Sequence, residues 1–218
     1  MQGAIFDMDG TLLDSMPFWK NAGARYLERI GIQAEPGLDG VLSVMSMPEG
    51  ARYIKEKYAP RQSAEEIAAG INQIVFHAYQ EVIPLKEGVR EFLKCLSEKE
   101  IPMVVATSTD RKLGEAAMER LGIRQYFQRV FTCTEIGKGK GEPDIYLEAA
   151  RFLQSSPENI WVFEDALYAA KTVKKAGFRL VAVFDEEEKQ EQGELVSLAE
   201  HYIKAEDDWR KLLLLERK

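Results

Sequence analysis

Cysteine and histidine are scarce in this 218-residue chain, with two of each. Cys95 and Cys133 lie far apart and belong to no Cys-x-x-Cys pair, so they indicate neither a disulfide framework nor a thiolate zinc site and are expected to be small buried hydrophobes. His77 falls in an apolar-faced helical pattern and His201 in no motif, so structural roles are expected for both. No apolar run approaches the roughly 18 residues that span a bilayer, and no membrane partner is expected. A net charge of −7 with no Lys/Arg-rich block argues against a nucleic-acid surface, which needs cations to neutralise phosphates. Residues 1–6 hold neither a basic start nor an apolar stretch, so no secretory leader is expected and a cytoplasmic location is the default. Internal repeats are absent.

Hydrophobic residues make up 45% and charged residues 30%, enough for one domain with a modest insertion or two small domains. The run Gly3-Ala4-Ile5-Phe6 reads as a buried strand of a parallel sheet. From 16 to 83 the pattern is helical. Over 18–30, Trp19, Ala22, Tyr26, Leu27 and Ile30 recur at helical spacing, with Gly31 placed as a left-handed cap. Two capping boxes, Ser46-x-x-Glu49 and Ser63-x-x-Glu66, open further helices. After Pro84, helices over 87–97, 112–121, 145–153 and 167–176 alternate with strands over 103–106, 130–133, 160–163 and 180–184.

That alternation predicts an α/β fold, a Rossmann-like doubly wound parallel sheet of five strands with a small all-helical insertion. Residues 1–15 and 84–218 form its discontinuous core, and 16–83 form the insertion, because the first strand alone cannot bury a core. The acidic stretch 186–194 reads as a solvated loop.

In such a sheet, ligands bind beyond the carboxyl ends of the strands, where the polar residues here collect. Asp7 and Asp9 follow the first strand, Thr107, Ser108 and Thr109 the second, and Glu164 and Asp165 the fourth; Lys140 lies in the loop after the third. A separation of two in extended chain aims Asp7 and Asp9 to one side, as nucleophile and proton donor. A calcium loop counted from Asp7 would put Thr11, Leu12 and Phe18 at its fifth, sixth and twelfth positions, where an oxygen ligand, Gly and Glu are needed, so that reading fails. Asp165 and Glu164 offer hard oxygen donors that could hold Mg2+ together with Asp7. Thr107 and Ser108 could cradle a phosphoryl oxygen or simply cap a helix, and Lys140 could offset anionic crowding or simply be solvated.

These residues resemble the haloacid dehalogenase superfamily, specifically its helical-cap phosphatases akin to β-phosphoglucomutase and phosphoglycolate phosphatase. The resemblance covers nearly the whole chain. Asp7-Met8-Asp9-Gly10-Thr11 matches the first motif, Thr107 the second, Lys140 in Lys-x-x-Pro-Asp-Ile-Tyr the third, and Glu164-Asp165 the fourth.

The resemblance implies an Mg2+-dependent phosphatase that hydrolyses a small phosphorylated metabolite through an aspartyl-phosphate on Asp7. By it, Asp9 is the general acid/base and a metal ligand through its carbonyl, Thr107 and Lys140 bind phosphate with Ser108 beside them, and Asp165 and Glu164 complete the metal site under a mobile cap. Ala166 and Ala169 depart from the fourth motif, which usually has Ser or Asp and Gly there, and Gly141 stands where Pro often follows the lysine.

By alignment with the family's specificity loop, Trp19, Met45, Ser46, Met47 and Arg52 are the cap residues expected nearest the substrate. A mutase would carry a histidine where Trp19 stands and a phosphate-binding arginine where Met47 stands, so hydrolysis is favoured over phosphomutase chemistry. A non-catalytic binding protein of the same fold would usually have lost the nucleophile. A wall of Trp and Met with few cations suggests a small or partly apolar leaving group rather than a bisphosphate. A monomer is expected, and a dimer is compatible.

Overall fold

The computed structural model describes residues 1–215, whose strands form one six-stranded, all-parallel sheet. The strands are β1 (Gly3–Phe6), β2 (Met103–Thr107), β3 (Arg129–Thr132), β4 (Ile160–Glu164), β5 (Arg179–Val183) and β6 (His201–Ile203). Their spatial order is β3-β2-β1-β4-β5-β6. The chain builds outward from β1 on one side, then crosses to its other side with β4. Such a reversal opens a crevice at the carboxyl ends of the central strands.

Register brings the polar strand ends level. Phe6 pairs with both Val105 and Phe163, so Asp7 emerges beside the end of β2 and beside Glu164. Successive side chains of β1 point to opposite faces and both faces are covered, which is why the strand reads as an unbroken apolar run. Ala4 and Phe6 join one hydrophobic cluster and Ile5 the other, all fully buried. Phe6 stacks on Phe163 with ring centroids 4.2 Å apart.

The prediction of five strands is corrected to six. β6 has only three residues, too short for an alternation to register. The acidic stretch 186–194 is also more than a loop: a helix, Gln192–Leu198, begins inside it.

Between β1 and β2 run helices Ala22–Arg29, Met47–Lys57 and Ala64–His77, with shorter helices Met16–Trp19 and Leu38–Leu42. Leu27, Ile54, Ile71 and Val75 from this segment share one buried cluster with Met8, Leu12 and Leu13. The capping-box serines sit where expected: Ser63 N–H donates to Glu66 at 2.8 Å and receives Glu66 N–H on its hydroxyl at 3.1 Å, while Ser46 N–H donates to Glu49 at 2.7 Å.

The single helix predicted over 18–30 is in fact two, broken at Lys20 and Asn21. Asn21 takes a left-handed φ of 62°, which asparagine tolerates better than most residues because its short side chain can hydrogen-bond locally. Helix Ala64–His77 continues into a π-helical turn, Ala78–Val82. The two chain connections at the ends of the segment run together, with Asp14 N–H donating to Pro84 O at 3.1 Å and Lys86 N–H to Leu12 O at 3.0 Å. Among the described residues no helix is long and apolar enough to cross a membrane.

Candidate active site

A cavity of about 400 Å3 lies over the carboxyl ends of β1, β2 and β4, between the sheet and the helical segment. Asp7, Asp9, Thr107, Ser108, Lys140, Glu164 and Asp165 all line it, so residues more than 150 positions apart in sequence meet at one place. Trp19, Met45, Ser46 and Met47 line it from the helical segment, whereas Arg52 is not among its lining residues.

Asp7 is fixed at both ends. Its N–H donates to Phe163 O at 3.0 Å, continuing the ladder one residue past β1, and its carboxylate meets the Lys140 ammonium. Lys140 is 3% exposed and donates also to Glu164 Oε1 at 2.7 Å. A lysine in a glycine-flanked loop gives no sign of such burial; here the loop turns inward because two carboxylates await its cation. Burial alone would pull the Lys140 ammonium down, but the charges of Asp7 and Glu164 outweigh it and hold it well above the ordinary lysine value. Tyr146 donates to the same Glu164 oxygen at 2.7 Å, so one oxygen of that carboxylate carries two partners.

Burial pushes the Asp7 carboxyl up to about 6; Lys140 pulls it down and Glu164 adds to the rise. Burial, then the charges of Asp7 and Glu164, raises Asp165 well above the usual carboxylate range. Its Oδ1 accepts from Thr11 at 2.9 Å. Asp7, Glu164 and Asp165 each present an oxygen within 4.8 Å of the others. Three buried carboxylates against one lysine leave excess negative charge, and hard oxygen donors of this kind suit Mg2+. Gly10 belongs to the same cradle. Its φ is +82°, and a Cβ there would stand 2.1 Å from Asp165 Oδ2. The residues present therefore fit a magnesium ion.

Asp9 turns to different partners. Ser15 Oγ donates to its Oδ1 at 2.6 Å, Tyr79 donates to the same oxygen, and Thr109 Oγ1 donates to Oδ2 at 2.6 Å. Burial raises its pKa first and the neighbouring Asp7 charge second, while these three donors oppose the rise. The Asp9 side chain is thus outside the carboxylate group that could hold a metal.

Thr107 Oγ1 accepts Thr109 N–H at 3.0 Å, which leaves its own O–H free to donate. Neither Thr107 nor Ser108 caps a helix. That position belongs to Asp110, which accepts Lys112 N–H at 3.0 Å at the start of helix Arg111–Arg120. Ser108 Oγ lies 3.5 Å from Cys133 Sγ.

Several contacts here carried no sequence signal. Tyr79 and Thr109 reach Asp9 across 70 and 100 positions, and Lys86 pairs with Asp185 at 2.8 Å across 99. Glu187 and Glu188, from the acidic stretch expected to be solvated, face the cavity, and Lys20 donates to Glu187 at 2.6 Å across its mouth.

The haloacid dehalogenase-like hydrolase family matches residues 4–183. Over 181 residues the chain is 29% identical to the phosphorylated carbohydrates phosphatase of Thermotoga maritima, a match covering 83% of this chain and 84% of that protein. It is 30% identical over 186 residues to the validoxylamine A 7'-phosphate phosphatase of Streptomyces hygroscopicus subsp. limoneus, again covering 83% and 84%. In fold it is similar to the β-phosphoglucomutase of Clostridium difficile, with a TM-score of 0.79, 20% identity, and 99% and 96% of the two chains covered. The family match runs from within β1 to the end of β5, through every strand end that lines the cavity, and the chain belongs to the haloacid dehalogenase-like hydrolases.

Proposed function

We propose that the chain is a magnesium-dependent phosphatase that hydrolyses a small-molecule phosphate monoester through an aspartyl-phosphate on Asp7. The observation that carries this reading is the pairing of Asp7 with Lys140 on the floor of a cavity where the hydroxyls of Thr107 and Ser108 and the carboxylates of Asp9, Glu164 and Asp165 also collect. Asp7 Oδ attacks phosphorus while the ester P–O bond breaks, and Asp9 gives its proton to the departing alcohol oxygen. Asp9, now ionised, takes a proton from the water that attacks the phosphoryl group, releasing inorganic phosphate and restoring Asp7.

Lys140 and the Thr107 hydroxyl, with Ser108 beside them, bind phosphoryl oxygens and offset the charge that collects there. Asp7, Asp165 and Glu164, with the Asp9 carbonyl, would hold Mg2+, which when bound neutralises carboxylates and phosphate together. Residues 16–83 act as a cap over a core of 1–15 and 84–218, and exclude water when substrate is bound.

The leaving group is read from the cap side. Trp19, Met45 and Met47 give the cavity apolar walls with Ser46 among them; its cation there, Lys20, is already paired with Glu187; and Asp39 and Glu188 add negative charge. A second phosphate would meet repulsion. The substrate is accordingly a monophosphate of a sugar, polyol or similar small hydroxylated molecule, in keeping with the relatives named for phosphorylated carbohydrates and validoxylamine 7'-phosphate. Transfer to a second substrate, as in a phosphomutase, is disfavoured because Trp19 commits its N–H to Tyr79 and Met47 carries no charge. The enzyme is read as cytoplasmic, a monomer with a dimer compatible, and without nucleic-acid or membrane partners.

The test is phosphate release from a panel of sugar and polyol mono- and bisphosphates, with Mg2+, with chelator, and with Asp7→Asn. Monophosphate hydrolysis that needs Mg2+ and is lost in the variant is expected. Silence across the panel removes the phosphatase reading, activity surviving in Asp7→Asn removes the mechanism, and fastest turnover of bisphosphates removes the substrate class.

A further inference from the structure

The carboxylate assigned to proton transfer is held from three separate stretches of chain. Ser15 comes from the first connection and Thr109 from the loop after β2; the third donor, Tyr79, comes from the helical segment. Tyr79 is fully buried and does not line the cavity, so it meets a bound substrate only through the cavity-lining residues it touches, Asp9, Trp19 and Thr109.

The direction of its hydrogen bonds follows from its other partner. An indole N–H can only donate, and Trp19 Nε1 donates to the Tyr79 hydroxyl oxygen. The phenol proton is left to point at Asp9 Oδ1, with Thr109 Oγ1 a more distant neighbour at 3.4 Å. The two rings also pack edge to face, centroids 6.0 Å apart at 70°, which fixes the phenol relative to the indole.

The backbone is secured as firmly as the side chain. Tyr79 lies in the π-helical turn Ala78–Val82, a kind of irregularity common at functional sites. Arg120, from a helix of the sheet domain, donates to Tyr79 O at 3.1 Å and also to Ile83 O, pinning both ends of that turn. Trp19, in contrast, lines the cavity directly.

We infer that Tyr79 is a positioning residue for Asp9: its hydroxyl, oriented by the Trp19 indole, sets the Asp9 carboxyl where its proton reaches the leaving oxygen, and links that placement to whatever packs on Trp19. This rests on the proposed function, in which Asp9 is the proton donor. The step it serves is one proton moving from Asp9 to the alcohol oxygen as the P–O bond breaks. A leaving group stable as an anion does not need that proton, and this supplies a readout that a merely structural role would not move.

The experiment compares wild type, Tyr79→Phe and Asp9→Asn on p-nitrophenyl phosphate and on the alkyl monophosphate turned over fastest in the panel. Tyr79→Phe keeps the ring and removes one hydroxyl. Its kcat/KM on the alkyl ester, which covers the steps up to departure of the alcohol and not the later attack of water that both esters share, is expected to fall roughly 10- to 100-fold, a share of the roughly 100- to 10,000-fold that general acid catalysis supplies. With p-nitrophenyl phosphate kcat/KM changes by less than about twofold, and Asp9→Asn shows the same split more strongly.

Equal losses on both esters, no loss on either, or a gain on the alkyl ester overturns the inference. Where Tyr79→Phe does not fold, Trp19→Phe carries the test, with a smaller split of the same sense expected. A wild-type enzyme inactive on both esters instead overturns the proposed function, and the inference with it; activity without the split overturns the inference alone.

Discussion

Replacing Lys140 with methionine tests the electrostatic account of the site. The side chains are similar in size, so packing is nearly conserved, but the cation that touches Asp7 and lies 2.7 Å from Glu164 is gone. What remains is a buried group of Asp7, Glu164 and Asp165, with ligand oxygens within 4.8 Å of one another. Removing one partner of a buried ion pair typically costs about 3–5 kcal/mol, because the remaining charge is left uncompensated. For a chain of this size about 1 kcal/mol corresponds to roughly 2–4 °C, so the metal-free variant should melt about 6–20 °C below wild type at pH 8.

The pH dependence gives the sign. Without Lys140 the Asp7 and Asp165 carboxyls, already raised by burial, titrate higher in the folded than in the unfolded chain, so the fold binds extra protons at low pH and loses stability as pH rises through the folded values. The deficit should therefore be small near pH 5, large near pH 8, and partly repaired by Mg2+. Phosphate release should fall by roughly 100-fold or more through loss of the phosphoryl anchor. Thermal unfolding at both pH values, with chelator and with Mg2+, reads all of this. A variant melting within about 2 °C of wild type at pH 8 in chelator, or shifted equally at both pH values, refutes the reasoning.

Gly10→Ala should cost about 1–2 kcal/mol from the left-handed φ alone, and must also push Asp165 aside, since the new Cβ would lie 2.1 Å from its Oδ2. Mg2+ titrations followed by thermal shift should show weakened binding; wild-type affinity would contradict the cradle. In the metal-free wild type, the Asp7 carboxyl, raised from 3.8 to about 6, disfavours ionisation in the fold by about 3 kcal/mol. That group's contribution falls as pH climbs from about 4 to 6, so the stabilisation by Mg2+ should grow over the same interval. An Mg2+-induced rise in Tm that is flat from pH 5 to 7 would count against it.

Most of the sheet and half of the site are legible in the residue order, because those signals are local. An apolar run followed by Asp7-Met8-Asp9-Gly10-Thr11 marks a strand and its polar end within nine residues, and the capping boxes at Ser46 and Ser63 place helix starts within four. The alternation after Pro84 yields strands and helices within a residue or two of their observed bounds. Lys140 is a different case. Its place in a motif draws attention to it, yet its burial depends on two carboxylates that arrive from β1 and β4.

Tyr79 lies further from view. Nothing near it in sequence says that its hydroxyl meets an aspartate 70 positions earlier and an indole 60 positions earlier. The break at Asn21 sets Trp19 on a turn of its own ahead of helix Ala22–Arg29, and its cause is likewise a backbone choice that helical periodicity does not record. β6 is too short to announce itself, and Lys86 finds Asp185 only because β5 ends beside the second connection.

Periodicity and capping act over a few residues and are therefore written along the chain. Pairing of buried charges and hydroxyls acts through space, between groups whose adjacency is created when β1 takes its place between β2 and β4. The chemistry of Asp7 and Asp9 could be read before folding. What holds each of them, Lys140 in one case and Tyr79 with Trp19 in the other, came into being only with the packed fold, since desolvation turns weak contacts in water into strong constraints.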